Sequence, residues 1–99
     1  FAGWRLDLVR RELRSPAGVV VNLSSGEFSL LRAFVERPQR VLTRDQLLER
    51  VWGYDYAGET RTVVVHVHWL RGHIEEDPAH PRFLQTVRSV GYVLRLDET

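Results

Sequence analysis

Cysteine is absent from these 99 residues, which excludes disulfides and thiolate metal sites and leaves the redox compartment unread. Lysine is absent too: all fourteen basic residues are arginine. Guanidinium forks fit phosphates and guanine edges better than ammonium groups do, although a bias toward arginine codons accounts for the same absence. A strong charge of one sign is also missing. The net charge of +1 lacks the basic excess usual in nucleic-acid binders, so composition alone selects no partner. No apolar run approaches the ~20 residues that span a bilayer, and no signal-peptide pattern is present; the cytoplasm is the default location. There is no glycine-rich phosphate cradle, and Ser24-Ser25 reads better as a helix cap than as a nucleophile. Neither an enzyme nor a cofactor is expected.

What is present describes one domain with one core: 43% hydrophobic and 27% charged residues are ordinary for a globular chain of this size. Trp4-Arg5-Leu6-Asp7-Leu8 alternates as a half-buried strand does. Glu12-Leu13-Arg14 and, after the turn Ser15-Pro16-Ala17-Gly18, Val19-Val20-Val21 complete a three-stranded antiparallel meander. Two capping boxes follow, Ser24 to Glu27 and Thr43 to Gln46. Behind the first, Phe28, Leu31, Phe34 and Val35 fall at helical spacing up to Pro38. Behind the second, Leu47, Leu48, Val51 and Trp52 do so up to Gly53.

The stretch from Thr60 to Asp77 is contested. Thr62-Val63-Val64-Val65-His66-Val67 is β-branched enough to favour a strand. Val63, Val67, Leu70 and Ile74, however, are spaced by four, three and four residues, one stripe of a helix. The length also exceeds that of most strands, and a helix is expected, ending before Pro78. Phe83 to Arg88 and Tyr92 to Leu96 then read as a hairpin around Gly91. The expected organisation is α+β: an N-terminal sheet over 1–22, three helices over 24–77 and a hairpin over 83–96.

At about 100° per residue, the third helix sets Arg61, Val65, His68, Trp69 and Gly72 opposite its apolar stripe. Thr62, Val64, His66, Arg71 and His73 lie on its flanks, and no acidic residue occurs between Arg61 and Ile74. An acid-free face of this kind suits phosphates and base edges, and it equally describes a solvated surface helix. The adjacent hairpin, with Arg88 near its tip, favours the first reading, because such a tip reaches a minor groove. A zinc site is disfavoured. On a helix His66 and His68 diverge by about 200°, and His66 and His73 lie about 10 Å apart along the axis.

An ordered set of motifs resembles the OmpR/PhoB-type winged-helix DNA-binding domain of bacterial two-component response regulators. It comprises Leu23-Ser24-Ser25-Gly26-Glu27-Phe28, Arg40-Val41-Leu42-Thr43-Arg44-Asp45-Gln46-Leu47-Leu48 and Val51-Trp52-Gly53. It continues with Arg61-Thr62-Val63, Val65-His66-Val67, Leu70-Arg71, Thr86-Val87-Arg88 and Gly91-Tyr92. The resemblance implies a winged helix-turn-helix with an N-terminal four-stranded sheet, a three-helix core, a recognition helix from about Thr60 to Glu76 and a C-terminal wing. It implies Trp52, Arg61, Thr62, His66, Arg71 and Thr86 as phosphate contacts, and Val65, His68, Trp69 and Arg88 as base or groove contacts, Arg88 in the minor groove. The loop Gly53, Tyr54, Asp55, Tyr56, Ala57, Gly58 and Glu59 would correspond to one that meets RNA polymerase. It further implies an upstream receiver domain, a sensor histidine kinase partner, and a full-length homodimer on direct repeats in promoter DNA.

Departures from the pattern are specific. Val64 stands where the family usually has Asp, and Gly72 and His73 where basic residues are frequent. Ser89 replaces a wing glycine, which brings the turn geometry into question because serine does not readily take positive φ. Glu75, Glu76 and Asp77 put negative charge at a helix C-terminus, where it is mildly unfavourable and poorly placed toward DNA. Moderate affinity and altered base preference are expected. A winged helix kept for protein contact, with DNA binding decayed, is the alternative.

Overall fold

The capping boxes set where the first two helices begin. Ser24 Oγ accepts the Glu27 amide at 3.2 Å while Glu27 Oε1 accepts the Ser24 amide at 3.0 Å. Thr43 and Gln46 repeat the exchange at 3.1 and 2.9 Å. Each box satisfies donors that a helix N-terminus otherwise leaves orphaned, worth about 1 kcal/mol per cap. The computed structural model describes residues 1–53 and 59–96. Its elements are β1 (Arg5–Asp7), β2 (Glu12–Arg14), β3 (Val20–Val21), α1 (Ser25–Glu36), β4 (Leu42–Thr43), α2 (Arg44–Trp52), α3 (Arg61–Ile74), β5 (Leu84–Val87) and β6 (Gly91–Leu94).

Two antiparallel sheets flank the helices, one in the order β1-β2-β3 and one in the order β4-β6-β5. The N-terminal sheet has three strands, as the alternation of the residues predicts, and not the four that the family resemblance implies. Residues ahead of β1 are turned instead: the Trp4 amide donates to the Phe1 carbonyl at 2.6 Å, and Ala2 and Gly3 have φ of 46° and 86°, which no strand accommodates. β4 was not legible in the sequence. It pairs Leu42 with Tyr92 and Thr43 with Gly91, so the wing is a three-stranded sheet. Gly91 permits this pairing, since a Cβ there would overlap the Leu42 carbonyl.

The contested segment is helical. Val63, Val67, Leu70 and Ile74 are all buried, in one core with Leu13, Leu30, Leu31, Phe34, Leu42, Leu47, Leu84 and Leu94. Burying four large side chains contributes several kcal/mol and outweighs β-branched propensity costs of several tenths each. Among the described residues, no helix is long and apolar enough to cross a membrane.

Candidate nucleic-acid interface

With its stripe in the core, α3 turns Arg61, Val64, His68, Trp69 and Gly72 outward as exposed residues, with Thr62 and Val65 half-buried beside them. The helix has no acidic residue in its first turn and Arg71 and His73 in its last. Neither Arg61 nor Arg88 has an ion-pair partner among the described residues.

His66 is held more firmly than a surface side chain. Its Nδ1 lies 2.7 Å from the Thr62 carbonyl, and because a carbonyl only accepts, Nδ1 carries a proton. The ring packs edge-on between Trp52 at 4.9 Å and Trp69 at 5.1 Å. Gly26 closes the box from α1: a Cβ there would come within 2.7 Å of His66 Nε2 and 3.5 Å of the Trp52 ring. In the sequence Gly26 is only an interior residue of a capping motif, and its packing role shows only once α1 meets α3. Trp69, braced on one side by His66, remains half exposed.

The hairpin is fastened to α3 by Arg71. Its Nε donates to the Leu84 carbonyl at 2.9 Å and its Nη2 to Thr86 Oγ1 at 2.7 Å. The guanidinium lies 5.6 Å from the centre of the Tyr92 ring. Burial pushes the Arg71 pKa below its ordinary value, an effect opposed by Tyr92 and by the Glu75 carboxylate. Half-buried and bonded inward, Arg71 has fewer donors left for a phosphate than Arg61 or Arg88.

Glu75 overturns the expectation drawn for it. Rather than facing outward as an unfavourable charge, it is buried, at 7% exposure. Oε1 accepts the Arg82 and Phe83 amides at 2.7 and 3.3 Å, and Oε2 accepts the Phe83 and Leu84 amides at 3.1 and 2.8 Å. The carboxylate thus fixes where β5 begins relative to the end of α3. Glu76 and Asp77 do remain exposed, with Asp77 bonded to the Ala79 amide and the His80 ring.

At the wing tip the Val90 amide donates to the Val87 carbonyl at 2.9 Å, which leaves Arg88 and Ser89 exposed between them. Ser89 adopts φ of 64°, so the turn keeps a left-handed residue although its side chain is not hydrogen. A non-glycine residue there costs about 1–2 kcal/mol, partly offset by a less flexible unfolded chain. Ser89→Gly is therefore expected to stabilise the domain by about 0.5–1 kcal/mol. An unchanged or lower denaturant midpoint would show the turn to be unstrained.

The fold thus gathers Arg61, Thr62, Val65, His66, His68, Trp69 and Arg71 on one helix, with Trp52 joined through His66 and Thr86 through Arg71. Arg88 stands at the end of the adjoining hairpin. Gly53 ends α2 with φ of 94°, and Glu59 is exposed. Tyr54, Asp55, Tyr56, Ala57 and Gly58, the remainder of the expected polymerase-contact loop, lie outside the described residues.

Residues 18–94 match the family described as transcriptional regulatory protein, C terminal. The sensory transduction protein RegX3 of Mycolicibacterium smegmatis is 51% identical over 90 residues, 91% of this chain and 39% of that protein. The alkaline phosphatase synthesis transcriptional regulatory protein SphR of Synechococcus elongatus is 50% identical over 74 residues, 75% of this chain and 29% of that protein. The chain thus spans less than half the length of either relative. Among solved structures, the RstA DNA-binding domain of Klebsiella pneumoniae in complex with the RstA box superposes with a TM-score of 0.85. It is 29% identical and covers 96% of this chain and 93% of that one. DrrB of Thermotoga maritima, an OmpR/PhoB homologue, gives a TM-score of 0.87 at 29% identity, covering 96% of this chain and 42% of that one.

Proposed function

The chain belongs to the OmpR/PhoB-type family of transcriptional regulatory protein C-terminal domains, and on that premise we propose that it binds double-stranded DNA sequence-specifically as the output domain of a response regulator. The observation that carries this reading is the acid-free outer face of α3 beside a hairpin that presents Arg88, with the two tied together through Arg71. In this reading α2 and α3 form the helix-turn-helix, and α3 enters the major groove. Arg61, Thr62, Trp52 and Thr86 meet phosphates; Val65, His68 and Trp69 face base edges; Arg88 enters the minor groove. His66 and Arg71 reach the same backbone from positions where much of their bonding is internal, and act chiefly as braces. The domain acts by binding and needs no cofactor.

The whole protein carries, on the same reading, a receiver domain controlled by a sensor histidine kinase. It dimerises on phosphorylation, occupies direct repeats in promoter DNA in the cytoplasm, and meets RNA polymerase through the loop from Gly53 to Glu59. Selection of duplexes from a random pool, read by sequencing, tests the DNA-binding proposal. A motif with defined information content is expected. No retention of any duplex at low salt would leave the winged helix as a protein-contact module.

A further inference from the structure

The outward face of α3 is unusual in what it offers to base edges. Guanine is read by the arginine fork or the lysine ammonium, and adenine by the side-chain amide of asparagine or glutamine, each through paired hydrogen bonds. None of these residues occurs between Thr62 and Leu70. That stretch presents Val64 at 42% exposure, Trp69 at 51% and a half-buried Val65, with His68 as the one exposed polar ring. Trp69 is not a loose side chain, since the His66 ring packs against it at 5.1 Å and is itself fixed by the Thr62 carbonyl at 2.7 Å. An exposed valine, a half-buried one beside it and a braced indole have one complement in the major groove, the C5-methyl group of thymine. The flanking charges, Arg61 at the helix start and Arg88 on the wing, are of the sign that would hold this apolar face against a duplex.

We infer that the domain reads thymine methyl groups, through Val64, Val65 and Trp69, as the main source of its major-groove specificity. This rests on the DNA-binding reading and names the chemistry that reading recognises. Burial of one methyl is worth about fourfold in affinity. A site with two such contacts therefore loses about fifteenfold when the methyls are removed.

The test takes a duplex enriched from a random pool and compares it with the same duplex carrying deoxyuridine at every thymine, by fluorescence anisotropy at low salt. The deoxyuridine duplex is expected to bind at least about tenfold more weakly. That penalty is expected to shrink in Val64→Ala and in Trp69→Ala, because the methyls then have less to pack against. Equal binding of the two duplexes overturns the inference. So does a penalty undiminished in both variants, which would trace it to duplex shape instead of contact. Failure to bind any duplex overturns the DNA-binding reading and this inference with it.

Discussion

Replacement of Glu75 by alanine is expected to lower the thermal midpoint by about 15 °C. The carboxylate accepts three backbone amides, those of Arg82, Phe83 and Leu84. Once it is gone, the Arg82 amide can rehydrate, because that residue is exposed. Leu84 is fully buried, at 0% exposure, and its amide would stay without a partner in apolar surroundings. Bonds to a charged acceptor contribute about 1.5–3 kcal/mol each, and a stranded buried donor costs about 1–3 kcal/mol. Partial rehydration and relaxation hold the net loss to about 3 kcal/mol, a large share of a small domain's total stability. At about 4–8 °C per kcal/mol for a chain of this length, the shift is readily seen by calorimetry or circular dichroism. Glu75→Gln should fall between the two, since one oxygen still accepts while the amide nitrogen confronts a donor. A shift of less than about 3 °C for alanine would show that the start of β5 is held by other contacts.

The contrast between Glu75 and Glu27 explains which parts of the molecule were legible in the sequence. Glu27 and Ser24 are three residues apart, as are Gln46 and Thr43. A bond that closes over three residues leaves a motif in the chain, and both boxes are as the motif implies. Glu75 acts on amides seven to nine residues away, across a loop with two prolines. From the chain alone it is merely an acid at a helix end. β4 is two residues long, and its partners Gly91 and Tyr92 lie about fifty positions later, so no local period could announce it. The packing role of Gly26 and the inward bonding of Arg71, which the family resemblance implied only as a phosphate contact, escaped in the same way: one is defined by His66 on another helix, the other by Leu84 and Thr86 on the hairpin. The third helix stands between these cases. Its local propensity pointed to a strand, its stripe of four residues to a helix, and the stripe prevailed because all four side chains reach the shared core. Ser89 shows the reverse relation, with a backbone angle of 64° retained by the turn against the preference of its residue.

Duplex binding is expected to weaken about fortyfold between 50 and 200 mM salt, and about two-thirds of the slope should reside in Arg61 and Arg88. Each phosphate neutralised by a cation releases counterions and adds about 0.9 to the slope of log affinity against log salt. Arg61 and Arg88 are exposed and have no ion-pair partner among the described residues, so each can contribute a full increment. Arg71 already donates to Leu84 and Thr86 and supplies at most a third. Three increments give a slope near −2.7, and a fourfold rise in salt then costs about fortyfold. Arg61→Ala or Arg88→Ala alone should bring the slope to about −1.8 and weaken low-salt binding about tenfold. The double variant should approach −0.9. Net charge cannot stand in for these contacts, because +1 over the whole chain generates little field beyond a Debye length of about 10 Å at 0.1 M salt. A double variant with an undiminished slope would therefore move the phosphate contacts to arginines elsewhere on the surface and detach the wing tip from the interface.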